Sequence, residues 1–436
     1  MAIEQELPPL ATICDAYGLK DKADRDAVER IYHAFRAHHA RFVTSIARDM
    51  LRDLRQEVAA NPHTRVVFLG RDGYSLAVAA RTLDPEFFAA HCHDAVLSRA
   101  VAEAAVQDLE QNGGKSFPQI SGYRENTASV SAEDVAGSYQ QLTRYLRGAG
   151  VPVGTPNSRV VLMDSCLKGT VQELLSAAYP ETSFEGRYMF YDGIASDPHP
   201  GTKRGYVLHR DDGVGGGMKE LPRDPSLTFA SLAAIRTIEN SLQGPLSSPK
   251  ALDESGPVQR RLTEEPDRTF GCNPVLVDPP YLNPVVREAC KVAGLRAVMD
   301  AASDVRDGAV LDTAAVQQQF TNDVRAWLTH APGQDPELKV LLDSFVHRDD
   351  HRMVREVDKM LHASTLSPEV HQQVWQSFDV AKSLPEKQAV LVSVQAMAQQ
   401  SRPAQPGTGV TTTAAAPQRG LGATGLRRTG EGSEVG

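Results

Sequence analysis

The sequence has little cysteine and no long apolar run. Its 436 residues include five cysteines, an odd number without Cys-x-x-Cys spacing. This pattern excludes a disulfide framework and a zinc ribbon, and it indicates reduced thiols. No apolar run approaches the ~18 residues of a membrane helix, so we expect no membrane span and no membrane partner. The first eight residues are acidic and lack the basic and apolar parts of a signal peptide, so we expect a cytoplasmic protein.

Excess positive charge is also missing. The formal net charge is −9, which excludes a nucleic-acid carrier because binding to the phosphate backbone requires a dense Lys/Arg surface. A hydrophobic content of 41% and a charged content of 23% are ordinary for a globular protein with a core. The length allows two or three domains, and nothing in the sequence indicates the oligomeric state.

The chain divides into four parts. In residues 1–60, apolar side chains recur at steps of mostly three and four, which predicts one long amphipathic helix over 24–58. Residues 61–225 alternate short apolar runs with helical stretches, which predicts an α/β domain with a mainly parallel sheet. The predicted strands are Val66–Leu69, Ala95–Ser98, Val160–Met163, Tyr188–Tyr191 and Tyr206–His209.

The rest of the chain is predicted to lack strands. Residues 226–400 form a predicted all-α accessory domain, and residues 401–436 are rich in Pro, Gly, Thr and Ala. We expect this tail to be disordered, because it buries too little apolar surface to offset the entropy of ordering. The predicted helices after residue 225 are Leu227–Leu242, Asn283–Ala302, Thr313–Leu328, Glu337–Leu361 and Pro368–Ala398.

The stretch Arg159–Thr170 carries the strongest functional signal. A buried strand ends in Asp164, a short polar loop with Ser165, Lys168 and Gly169 follows, and a helix begins at Thr170. Backbone N–H groups and the helix dipole favour an anion at such a place. We therefore expect Asp164 to accept hydrogen bonds from sugar hydroxyls, and Lys168–Thr170 to bind a phosphate. The alternative is a strand followed by an Asp or Thr helix cap, with no ligand.

A second strand–turn–helix lies upstream, in the sequence Gly70-Arg71-Asp72-Gly73-Tyr74-Ser75. Its two glycines allow the backbone to approach a ligand closely. Arg71 suits a diphosphate, and Asp72 suits a metal-bound water or a proton. The alternative is an Asp-Gly turn with a serine cap. Arg99 ends another predicted strand and is expected at the same rim, unless it is an ordinary surface arginine.

The first loop resembles the phosphoribosyl diphosphate (PRPP) loop of type I phosphoribosyltransferases, and the Gly70–Tyr74 turn resembles the pyrophosphate loop of that family. The resemblance covers residues 60–210 and implies a phosphoribosyltransferase-like fold. It also implies a PRPP substrate carrying Mg²⁺, from which the phosphoribosyl group is transferred to an unknown small-molecule acceptor with release of pyrophosphate. Asp164, Asp72 and Arg71 would be catalytic; Gly70, Gly73, Tyr74, Arg99, Ser165, Lys168, Gly169 and Thr170 would bind substrate. In this chain, Ser165 stands where a second acid is usual, and the loop is one residue short.

Residues 60–300 are also similar to the C-terminal region of predicted haloacid dehalogenase-type bacterial proteins, often associated with polysaccharide synthesis. The shared motifs are Phe68–Tyr74, Leu97–Arg99, Asp164 with Gly169–Gln172, and Ile238–Pro249. The catalytic dehalogenase module is absent: no strand ends in Asp-x-Asp-Gly-Thr, and Cys166 replaces the second carboxylate. A non-catalytic nucleotide- or sugar-phosphate-binding accessory protein is therefore the alternative to a transferase.

Two further patterns are weaker. His347 and His351 lie one helical turn apart but lack a recognisable third ligand, so a solvated helix face is the better interpretation. Asp211–Gly217 is glycine-rich but does not lead into a helix, so it predicts a loop and no dinucleotide site. We expect no metal site built from protein side chains alone.

Overall fold

The fold is α/β, as predicted, with a five-stranded, entirely parallel sheet. The computed structural model describes residues 7–70, 73–124, 130–165, 167–211, 217–218, 220–264, 277–346, 357, 360–381 and 384–400. The strand order is β2-β1-β3-β4-β5. The strands are β1 (Thr64–Gly70), β2 (Cys92–Val96), β3 (Ser158–Asp164), β4 (Thr182–Asp192) and β5 (Lys203–Arg210).

All five predicted strands are present. Four lie where the apolar runs put them, although each extends beyond its predicted ends. The second is displaced: Ala95–Ser98 was predicted, but β2 ends at Val96. The reason is that the Ser98 side chain accepts a hydrogen bond from the backbone N–H of Val101 and thereby begins the next helix.

Helices cover both faces of the sheet. Those before β5 are α1 (Leu10–Ala16), α2 (Lys22–Ala37), α3 (His39–Ala60), α4 (Tyr74–Leu83), α5 (Pro85–His91), α6 (Arg99–Gln111), α7 (Ser121–Arg124), α8 (Ser138–Gly148) and α9 (Thr170–Ala178). Those after β5 are α10 (Leu232–Leu242), α11 (Pro284–Arg306), α12 (Thr313–Thr329), α13 (Pro336–Phe345), α14 (Pro368–Val380) and α15 (Leu384–Gln400). Strands β6 (Leu252–Asp253) and β7 (Gly256–Pro257) form a short antiparallel hairpin, so the prediction that residues 226–400 contain only helices was wrong at this point.

Three helix predictions need correction. The single amino-terminal helix is two, because the backbone of His38 departs from helical geometry between α2 and α3 (φ −114°, ψ −80°). The last predicted helix is also two, α14 and α15, with Ala381 extended after the first. The helix predicted over Glu337–Leu361 begins as α13, which ends at Phe345; residues 347–356 lie outside the described part of the chain.

Alternate side chains of each strand enter two different cores. Val66 and Phe68 of β1 join the larger core, which also takes in α2, α3, α4 and α10–α13. Val67 and Leu69 join the core formed with α6, α8 and α9. A third, small cluster holds α14 and α15 together around Phe378. The division into domains stays a prediction. No helix in the described ranges combines the length and apolarity that crossing a bilayer requires.

A buried histidine joins the amino-terminal helices to α10. The His39 side chain is fully buried, packs against Phe35 and Phe320, and has Nε2 at 3.1 Å from the carbonyl oxygen of Thr237. Burial lowers the pKa of His39 to about 3, from an ordinary value of 6.5, because the charged ring would lose its hydration. The folded protein therefore keeps this ring neutral.

This burial predicts a pH dependence of stability. Between pH 6.5 and pH 3, His39 is protonated in the unfolded chain but stays neutral in the folded chain. The free energy of unfolding should therefore fall with decreasing pH, by about 1.4 kcal/mol per pH unit from this group. Urea unfolding of the wild type and of His39→Gln at several pH values measures the difference.

The matched control is His33→Gln, which changes an exposed histidine of α2. It should follow the wild-type pH profile, whereas His39→Gln should lose less stability on acidification. Identical profiles for the wild type and His39→Gln would show that His39 is not buried in its neutral form.

Candidate functional site

The two predicted loops lie side by side at one edge of the sheet. Phe68 of β1 pairs with Met163 of β3, so Gly70 and Asp164 end neighbouring parallel strands at their carboxyl ends. From β1 the sheet order runs to β2 on one side and to β3 on the other. Ligands of open α/β sheets bind in the crevice at such a switch in strand order. The crevice between these two turns is the candidate site.

The turn after β1 leads directly into α4. Gly73 precedes this helix, and a side chain there would collide with the carbonyl oxygen of Leu69, so the turn requires a residue without Cβ. Gly73 also offers no side chain to cap the helix, which leaves the first N–H groups of α4 without a cap from that residue. Arg71 and Asp72, the predicted diphosphate and proton-transfer residues, lie outside the described residues.

The loop after β3 is held against β4. The backbone N–H of Phe190 donates to the Ser165 carbonyl oxygen at 3.0 Å, and that of Asp192 donates to the Leu167 carbonyl oxygen at 3.0 Å. The Asp164 carboxylate accepts a hydrogen bond from the Ser165 N–H at 2.7 Å. Ser165 itself is only 1% exposed. The loop is therefore pinned on the β4 side, and Asp164 remains half-buried at the strand end.

Gly169 directly precedes α9 and has a backbone conformation that favours glycine. Its φ of 77° lies in the left-handed region, and it provides no side-chain cap to the helix. Lys168 and Thr170 on either side are half-buried. The amide groups at the start of α9, together with the Lys168 charge, are suited to an anion such as a phosphate.

A buried ion cluster that the sequence did not predict packs against Gly169. The Lys203 side chain is fully buried, and its Nζ lies 2.5 Å from Glu173 Oε1 and 2.8 Å from Asp197 Oδ1. The second oxygen of Glu173 contacts Nδ1 of His199 at 2.6 Å. A Cβ on Gly169 would lie 2.8 Å from Cε of Lys203, so the aliphatic part of the lysine side chain packs directly against this glycine.

The pKa shifts in this region follow from burial and charge. Burial opposes ionisation of Asp197, but the hydrogen bond and charge of Lys203, together with the backbone N–H of His199, outweigh it and lower the pKa of that carboxyl below its ordinary value. Burial raises the pKa of Tyr188 well above its usual range, and the negative charges of Asp164 and Glu173 add to the effect. The Tyr188 hydroxyl thus stays protonated and donates to Gln172 Oε1 at 3.0 Å.

Nothing in the sequence around Lys203 signals this cluster. Lys203 precedes the predicted last strand, and Glu173 is the one charged residue of α9. A second unpredicted pair lies at the carboxyl edge of β4 and β5, where Arg210 Nε is 3.5 Å from Asp192 Oδ1. Lys203 and Glu173, like Arg210 and Asp192, are far apart in sequence, so only the strand order reveals that they are in contact.

Arg99 lies at the same edge as the two loops. It is the first residue of α6, which follows the carboxyl end of β2, and its side chain is exposed. Tyr74, in contrast, is 7% exposed, with its ring against Gly70 and Gly244. The described members of the predicted site therefore share one edge of the sheet, and their roles in binding stay predictions.

A cleft lies at the opposite edge of the sheet. It has a volume of about 1110 Å³ and contains none of the predicted site residues. Ser158 and Thr182, which begin β3 and β4, line it together with Phe117 and His199. Arg159 on its wall is neutralised by Glu57 and Glu185. This cleft and the site that the topological rule indicates thus lie at different edges of the sheet.

Several of the weaker signals cannot be placed. His347, His351 and Cys166 lie outside the described residues, as does the Asp212–Gly216 part of the glycine-rich stretch. Within the described ranges, no three His, Cys, Asp or Glu side chains form a group that could hold a metal ion. A cation carried by a substrate diphosphate has a smaller requirement, since Mg²⁺ usually keeps several waters and takes only one or two carboxylates.

Comparison with models of protein families, with curated proteins and with solved structures gave no match. The resemblance to phosphoribosyltransferases therefore stays a prediction, and the function has to be argued from the site.

The Gly169 geometry predicts a specific loss of stability. Gly201→Ala places a side chain at nearly the same positive φ, 78°, but in open space, and should cost about 1–2 kcal/mol. Gly169→Ala should cost at least about 1 kcal/mol more, because its Cβ would displace the buried Lys203 stem. Chemical denaturation of both variants measures the difference. Equal losses would mean that Lys203 does not support the loop.

Proposed function

We propose that this protein is a phosphoribosyltransferase-like enzyme that binds PRPP with Mg²⁺ and transfers the phosphoribosyl group to a small acceptor. One observation carries the proposal: the two loops that end at Gly73 and Gly169 meet at the switch in strand order. Each leads into a helix whose preceding glycine contributes no side-chain cap. Two such helix starts at one crevice suit a ligand with two phosphorylated ends.

The β3 loop would bind the ribose phosphate end. Asp164, half-buried at the strand end, would accept hydrogen bonds from the ribose hydroxyls. Lys168, Gly169 and Thr170 would hold the 5′-phosphate through the ammonium group, the backbone amides and the hydroxyl. The buried Ser165 would contribute by fixing the loop, since its N–H already binds the Asp164 carboxylate.

The β1 turn would bind the leaving group. Arg71, with the backbone of Gly70 and Gly73, would hold the pyrophosphate, and Asp72 would contact water bound to the metal. Mg²⁺ would arrive on the diphosphate as part of the substrate and reduce its negative charge. Arg99 would add a positive charge from the neighbouring strand end.

In the reaction, the acceptor's lone pair forms a bond to the anomeric carbon while the bond from that carbon to the pyrophosphate oxygen breaks. The bonding electrons leave with pyrophosphate, and the acceptor's proton passes to water. Charge builds up on the ring as an oxocarbenium-like state and on the leaving oxygen. The protein's part is to position the two reactants and to stabilise the leaving diphosphate.

A non-catalytic accessory protein that binds a nucleotide or sugar phosphate is the second candidate. The observation that favours it is Ser165, which occupies the place of the second acid and is buried, so the β3 loop offers one carboxylate in place of two. One measurement distinguishes the two candidates: only the transferase releases pyrophosphate from PRPP when an acceptor is supplied.

The proposal predicts ligand-dependent stability. PRPP with Mg²⁺, at about one hundred times its dissociation constant, should raise the free energy of unfolding by about 2.7 kcal/mol. Asp164→Asn should weaken binding at least roughly tenfold, about 1.4 kcal/mol, because the neutral amide is a poorer acceptor for two hydroxyls. Thermal unfolding with PRPP, ribose 5-phosphate and pyrophosphate measures both effects.

Asp26→Asn, at an exposed position of α2, is the matched control and should respond to PRPP as the wild type does. A shift with PRPP that is equal in Asp164→Asn and in the control would remove Asp164 from the site. The absence of any shift at millimolar PRPP would contradict the transferase proposal and leave the accessory role ahead.

A further inference from the structure

One motif of the sequence has no part in the proposed chemistry: the segment after α10. Residues 243–261, which we call the strap, run out from α10, turn in the β6–β7 hairpin and return. The two arms hold each other, since the Ser247 N–H donates to the Arg260 carbonyl oxygen at 2.8 Å. Gln259 Nε2 donates in turn to the Ser247 carbonyl oxygen at 2.8 Å. The strap is therefore a built two-armed element of the fold.

The strap crosses the carboxyl edge of the sheet beside the candidate crevice. Ser98 Oγ, at the turn after β2, donates to the Pro249 carbonyl oxygen at 2.6 Å. Gly244 packs against the Tyr74 ring, in the turn after β1, where an added Cβ would lie 3.4 Å from the ring. The strap thus touches both turns on the β1–β2 side of the crevice and forms a wall there.

Tyr74 is the residue that joins the strap to the β1 turn. Its ring also covers Gly70, where a Cβ would lie only 2.7 Å from Cζ. Its hydroxyl lies near the side chain of Gln259 on the returning arm. Both arms of the strap and the end of β1 therefore meet at one buried aromatic side chain.

The strap also brings a positive charge to the rim. Lys250 follows Pro249, and Arg99 follows Ser98, so the Ser98–Pro249 hydrogen bond joins the two chain segments that carry these exposed cations. Of the two acids in the hairpin, Asp253 is engaged elsewhere, because its Oδ1 accepts hydrogen bonds from the N–H and hydroxyl of Ser255, and Glu254 is exposed. A guanidinium and an ammonium on joined segments are suited to a ligand with more than one phosphate.

We propose that Lys250 and Arg99 form a diphosphate-binding pair at this edge, and that Tyr74 is the positioning residue that holds the strap in place for it. The inference rests on the proposed function in one respect, the binding of a phosphorylated ligand at the carboxyl edge. It assigns the strap as the wall on the pyrophosphate side of the crevice.

The test is isothermal titration of the full chain with pyrophosphate–Mg²⁺ and, separately, with ribose 5-phosphate. Lys250→Gln and Arg99→Gln should each weaken pyrophosphate binding about tenfold and ribose 5-phosphate binding less than about threefold. Lys115→Gln, an exposed lysine that lines the cleft at the opposite edge, is the matched control and should change neither.

Tyr74→Phe tests the positioning role, since it keeps the ring and removes the hydroxyl near Gln259. It should weaken pyrophosphate binding about threefold with ribose 5-phosphate binding unchanged, which a general loss of stability would not do. Gln259→Leu, which removes the polar side chain near that hydroxyl and its hydrogen bond to Ser247, should give the same selective effect.

The outcomes separate this inference from the proposed function. Pyrophosphate binding that is absent in the wild type, or unchanged in Lys250→Gln and Arg99→Gln, overturns the diphosphate pair. If PRPP binding then still depends on Asp164, the proposed function survives without it. Pyrophosphate binding that needs Lys250 and Arg99, in a protein that binds no PRPP, supports the pair and contradicts the transferase.

Discussion

Parallel pairing of β1 with β3 is the constraint on which the rest of the structure depends. It puts the ends of two strands, Gly70 and Asp164, next to each other, although they are far apart in sequence. The two helices that follow, α4 and α9, begin at the same crevice but cover opposite faces of the sheet. The predicted contacts at Gly70, Gly73, Asp164 and Lys168–Thr170 are brought together by this one arrangement.

The loop at Gly169 depends in turn on the buried positive charge of Lys203. Lys203 is stable in its buried position only because Glu173 and Asp197 both bind it, and removing one partner would leave an uncompensated buried charge. His199 extends this network to the wall of the large cleft at the opposite edge. Glu173 thus contacts both Lys203, which packs against the Gly169 loop, and His199, which lines the cleft at the opposite edge.

The sequence predicts most of this fold because its signals are local. Short apolar runs bounded by polar residues locate four of the strands and, with a displacement, the second one, and their alternation with helices predicts parallel pairing. The break at His38 carries no proline or glycine and could not be predicted. The Lys203 cluster and the contact of Pro249 with Ser98 could not be predicted either, because they join residues that only the strand order brings together. The proposed chemistry rests on Arg71 and Asp72 as well, which lie outside the described residues.

The central claim is that a phosphorylated sugar binds at the β1–β3 crevice and not in the cleft at the opposite edge of the sheet. A crystal structure of the protein grown with PRPP and Mg²⁺ tests it most directly. The account predicts electron density for the 5′-phosphate at Lys168–Thr170 and for the ribose at Asp164. Density in the cleft beside His199, with none at Asp164, would contradict it.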